Sequence, residues 1–134
     1  LNIKADGLQV GILKCLEEFS VKNYYLFDMS VPDLLVSARA GLKCLTRHSD
    51  IEASPHYYSG AKGVWMDEVL EEWIGEDHLR AHVDSRKRVF IVSPELHKRP
   101  HSEKWQQYKS MDPAIVSTCT LCTDLPEAAS AFFS

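Results

Sequence analysis

The chain has 134 residues, with 15 Lys and Arg against 19 Asp and Glu, for a formal charge of −4. That length fits one domain, and the acidic balance lacks the positive excess that displaces phosphate counterions, which excludes a nonspecific nucleic-acid binder. With 45% hydrophobic and 25% charged residues the composition is globular rather than disordered, and no apolar run approaches the roughly 20 residues that span a bilayer.

Four cysteines without a dense framework, and no basic-then-apolar leader at the start, predict a reduced, cytoplasmic protein. The first predicted element is a strand, Leu1–Ala5. Domains rarely begin inside a strand, so further sequence is expected ahead of Leu1. Leu8, Ile12, Leu13, Leu16 and Phe19 then recur at the 3.6-residue period of an amphipathic helix. Strand Tyr24–Met29 is followed by a helix that Pro32 enters at its first turn and that gathers Leu34, Leu35 and Ala38. Gly41 precedes strand Leu42–Arg47, and Gly63 precedes strand Val64–Asp67. Val69, Leu70, Trp73 and Ile74 have helical spacing, continued or followed by Leu79–Val83. Strand Val89–Ser93, a short helix marked by Trp105 and Tyr108, strand Ser117–Thr123 and a helix from Pro126 to Phe133 complete the chain.

The predicted strands are rich in Val, Ile, Leu, Phe, Tyr and Cys, as buried parallel strands are. Their starts lie about 18–30 residues apart, the room a parallel crossover needs. The expected fold class is α/β, with residues 1–134 a single domain of about six parallel βα units. Function in such folds sits beyond the carboxyl ends of the strands, where Lys4, Asp28, Arg47, His48, Glu52, Asp67 and Glu95 fall. In Arg47-His48-Ser49-Asp50-Ile51-Glu52, Arg47 offers a forked phosphate donor, His48 a proton carrier and Glu52 an oxygen for a divalent cation. Pro94 presents Glu95 as a ligand, an acid or a helix N-terminal charge.

Other motifs read as structural. Cys119 and Cys122, three apart on a strand, point to opposite faces and read as small apolar residues. His78 and His82 lack the Glu of the zinc-protease pattern and read as surface helix histidines. Asp28-Met29-Ser30 is similar to the nucleophile motif of haloacid-dehalogenase-like phosphatases, with Ser30 where that family has a second Asp; a strand-end Asp capping the next helix is the simpler reading.

The elements together resemble the glycerophosphodiester phosphodiesterases, of the phosphatidylinositol phospholipase C-like superfamily, and more closely an uncharacterised bacterial branch. Leu1-Asn2-Ile3-Lys4 is similar to that family's third strand, Val64-Trp65-Met66-Asp67 to its sixth, Val89 through His97 to its seventh, and Thr123-Asp124-Leu125-Pro126-Glu127 to the closing element of its eighth. The resemblance implies strands three to eight of a (β/α)8 TIM barrel, and a metal-dependent hydrolase of small glycerol- or sugar-linked phosphodiesters using calcium or magnesium. It implies Asn2 at the remaining metal-ligand position and Lys4 as a phosphate contact; with the strand-end reading, the expected site comprises Asn2 and Glu52 as metal ligands, His48 and Glu95 as catalytic groups, and Lys4, Arg47, Asp28, Trp65 and Asp67 as substrate contacts. His-Arg-Gly, Glu-x-Asp and a second catalytic His are absent from this sequence, so the chain alone is expected to be inactive. The alternatives are a non-catalytic phosphate- or partner-binding remnant and a dehalogenase-like phosphatase using Asp28. Self-association through open sheet edges is a further expectation.

Overall fold

A computed structural model describes residues 1–134. Four short apolar stretches form strands: β1 (Leu45–Ser49), β2 (Gly63–Asp67), β3 (Arg88–Val92) and β4 (Cys119–Cys122). All neighbours are parallel, in the order β1-β2-β3-β4, with Leu45 beside Gly63, Gly63 beside Arg88 and Val89 beside Cys119. The two predicted strands nearest the start are reduced to single parallel bridges, Asn2 with Phe27 and Leu26 with Cys44. The second run stops at Asp28, whose left-handed φ of 72° takes the backbone off the pleat. The parallel chain-order arrangement therefore continues through all six predicted segments, the first two as bridges only.

Alternation along the strands separates two faces. Val64, Met66, Val89 and Ile91 point to one, where they pack with Ile74, Leu79, Tyr108 and Ile115. Leu45, Trp65, Phe90, Val92 and Cys122 point to the other. The first face is covered by α3 (Glu76–Asp84), α4 (Ser102–Ser110), the short α5 (Pro113–Val116) and the end of α6 (Pro126–Phe133). Earlier in the chain, α1 (Gln9–Glu18) and α2 (Val31–Arg39) cover Ile3, Leu26, Leu42 and Cys44. The second face has no α-helix over it. Its aromatic rings cover each other: Phe27 stacks on Trp65 at 3.9 Å, and Tyr25 meets Phe90 at 5.2 Å although β1 and β2 lie between their segments. The sheet curls towards this face, and Leu1 and Thr120, from opposite ends of the strand order, line one cavity with Trp65 and Phe90.

Helix starts follow their chemistry. Ser30 accepts the Asp33 N–H at the head of α2, with Pro32 in the first turn. Asp33 is itself buried and accepts from the Gly7 N–H and the Gln9 side chain, which ties α1 to α2. The expected helix over Val69–Ile74 is instead a loop, and the helix begins at Glu76. Asp50 accepts from the N–H groups of Val69, Leu70 and Glu71, and Glu68 Oε1 from those of Trp73 and Ile74. Those two carboxylates take donors that helical geometry would have used. Predicted strand Ser117–Thr123 starts two residues late, because α5 and its Thr118–Ile115 contact occupy the approach. No helix is long and apolar enough to cross a membrane.

Candidate functional site at the carboxyl ends of the strands

Arg47 lies on the helix-free face of β1, in register with Trp65. One guanidinium arm reaches Glu52 Oε1 at 3.0 Å and the other pairs with Asp28 Oδ1. Glu52 is folded back into position by a tight turn, its N–H donating to the Ser49 hydroxyl at 3.0 Å. Asp28 spends its second oxygen on the exposed Lys4, at 3.1 Å. The result is an alternating Lys4–Asp28–Arg47–Glu52 chain built from three successive segments of the parallel order. Asp28 does not cap the next helix; Ser30 does.

A second group sits at the ends of β2, β3 and β4. Asp67 closes β2, and its Oδ1 lies 2.6 Å from His97 Nε2. His97 arrives there on a single 3-10 turn, Pro94–His97, that follows β3 directly. Both residues are largely covered, with side chains 14% and 28% exposed. The third group is centred on Glu95, which takes the Ser93 hydroxyl on one oxygen and the Thr123 hydroxyl and Asp124 N–H on the other. Ser93 is fully buried and receives the Trp105 indole N–H at 2.8 Å. Burial pushes the Glu95 carboxyl up, but the hydrogen bonds from Ser93, Thr123 and the backbone outweigh it and hold the group below the usual glutamate range. A carboxylate with both oxygens so committed is a brace for the β3 and β4 ends. Nearby, burial raises the Cys122 thiol, and the charges of Asp124, Glu95 and Asp67 raise it further. Those three carboxylates therefore gather at one end of the sheet.

No protein-family model matches this chain, and no curated protein or solved structure is significantly similar to it.

The remaining expected site residues lie elsewhere. His48 neighbours Arg47 in sequence, and alternation therefore puts its ring on the opposite, helix-covered face. There its Nδ1 is 2.9 Å from His82 Nε2, and Tyr58 OH is 2.9 Å from His82 Nδ1. Burial, then the charge of His78, lowers His48. Burial, then His48 and His78, brings His82 down to about 4. His82 is thus a core residue at 7% exposure rather than a surface one. Trp65 belongs to the buried aromatic layer against Phe27, below the charged ring. Asn2 is exposed and contributes a backbone bridge to Phe27. Glu52 is engaged by Arg47, and no three His, Cys, Asp or Glu side chains come together to hold a metal ion. The residues of this chain do not form a cation cage. Cys119 and Cys122 are free thiols that pack on opposite faces. His97 was not among the expected site residues. Its only sequence signal is a histidine placed one turn past a strand end by Pro94.

Proposed function

We propose that the chain is the strand-three-to-eight part of a (β/α)8 barrel of glycerophosphodiester phosphodiesterase type. Its site would take the phosphate of a small glycerol- or sugar-linked phosphodiester. The observation that carries this reading is the Lys4–Asp28–Arg47–Glu52 chain at the carboxyl end of a parallel sheet. Two cations are held there by two carboxylates. A phosphate can replace either carboxylate at Arg47 and accept the same forked donors. The barrel part of the reading is supported by the uncovered face. Parallel sheets ordinarily bury both faces, and a barrel fills its inner face with its own side chains, as the Phe27–Trp65 and Tyr25–Phe90 contacts begin to do.

In the parent family calcium or magnesium would neutralise the phosphoryl oxygens. Asn2 and Glu52 offer two oxygens without a cage. His48, turned to the far face, is not placed to serve Arg47. Hydrolysis of an unactivated diester by this chain should therefore be slow, since each absent acid or base costs about 10²–10⁴-fold. The same observation favours a second reading, a phosphate-binding remnant without turnover. The dehalogenase-type reading is weaker, because both Asp28 oxygens are committed to cations. The free edge of β4 is where self-association would occur.

The test is calorimetric titration with glycerol 3-phosphate and with a glycerophosphodiester. Arg47→Gln should weaken binding by about tenfold or more, the loss of one charged, forked contact, while His48→Asn should leave it unchanged. Equal binding by wild type and Arg47→Gln, or none by the wild type, would overturn the reading.

A further inference from the structure

We propose that Asp67 and His97 form an acid–base pair that serves hydrolysis of a phosphate ester held at Lys4 and Arg47; this rests on the phosphate-binding reading above. Asp67 Oδ1 and His97 Nε2 lie 2.6 Å apart, so the imidazole donates through Nε2 and presents Nδ1 as its proton acceptor. Asp67 is fixed from behind, since its carbonyl accepts the Trp73 indole N–H at 2.8 Å. It lies beside Ser49 in the ladder, one pleat beyond Arg47 on the same face of the sheet. A carboxylate that orients an imidazole and stabilises its protonated form is the requirement for general acid–base work.

The step balances without a further reactant. Water attacks phosphorus while His97 Nδ1 takes its proton, and an O–P bond forms. The P–O bond to the alcohol then breaks, and the imidazolium returns that proton to the leaving oxygen. One phosphodiester and one water give one phosphomonoester and one alcohol. The titratable and charged groups gathered at this end are Asp67 from β2, Glu95 from the same turn as His97, the Cys122 thiol that ends β4, Asp124 just after it, and Lys98 and Arg99 following His97 in the chain.

The alternative is a purely structural tie between the 3-10 turn and β2. The full chain, assayed with bis(p-nitrophenyl) phosphate, separates the two. His97→Ala should lower turnover by about 10²–10⁴-fold, and added imidazole should restore at least part of it, which a structural tie would not allow. Asp67→Asn preserves shape and should also lower turnover, by loss of the carboxylate that orients the His97 ring. Glycerol 3-phosphate should still bind His97→Ala, so loss of turnover with retained binding isolates this inference from the phosphate reading. Turnover by His97→Ala within about threefold of wild type, absence of imidazole rescue, or no wild-type turnover above buffer would each overturn it.

Discussion

Lys104 and Glu68 show what a single buried residue can decide. Their side chains are 3% and 1% exposed and lie 2.7 Å apart. Glu68 Oε1 also receives the N–H groups of Trp73 and Ile74, while Lys104 donates to the Ile74 carbonyl. Removing one partner leaves a buried charge uncompensated, at a cost of about 3–5 kcal/mol. Lys104→Met should therefore lower the urea-derived stability by that amount, and Lys104→Met with Glu68→Leu should recover much of it; equal loss in single and double variants would show that the pair is not coupled. The sequence indicated part of this residue-level pattern. Arg47, Asp28 and Lys4 were legible because polar residues at apolar strand ends have one natural destination. The separation of His48 from Arg47 follows from period-two alternation alone. His97 was not legible, because its partner Asp67 lies 30 positions away and no local pattern links them.

Among the elements, β2 is the most constrained. A Cβ built on Gly63 would lie 2.3 Å from the Arg88 carbonyl oxygen and 2.9 Å from Leu45 Cδ2. The Leu45 side chain can rotate away, but the Arg88 carbonyl is β3 backbone and cannot withdraw without parting the ladder. Gly63→Ala should cost about 1–3 kcal/mol by overpacking, read as a lower urea midpoint; an unchanged midpoint would mean the strands can separate cheaply. Strand positions were legible because apolar runs and βα spacing agree. The Val69–Ile74 segment was not: its apolar spacing imitates a helix, and the decisive acceptor, Asp50, comes from the end of a different strand. The second segment ends at the left-handed backbone of Asp28, which its composition does not signal.

For the whole molecule, pH acts through the histidines behind the sheet. His82 titrates at about 4 when folded, against an ordinary 6.5, because burial and then His48 and His78 oppose its charge. The unfolded chain thus binds the proton first as pH falls. Stability is fully present above about 6.5 and is lost progressively towards pH 4, by on the order of 3 kcal/mol. Urea unfolding at pH 7 and pH 4.5 should show that loss, and His82→Asn, less stable at neutral pH, should show a shallower slope. An equal slope in both proteins would place the acid sensitivity elsewhere. The fold class was legible at this scale, since alternating βα units leave few arrangements. The curl of the sheet was not, because it depends on which rings meet across the helix-free face.

Strand order equal to chain order has a kinetic consequence. Leu45 meets Gly63, Gly63 meets Arg88 and Val89 meets Cys119, so the pairings span 18, 25 and 30 residues and none waits for a distant terminus. A chain emerging from the ribosome can add each βα unit to the edge already made. Pairing each strand with the one just before it in the chain favours vectorial assembly, in which the newest strand is always the one exposed.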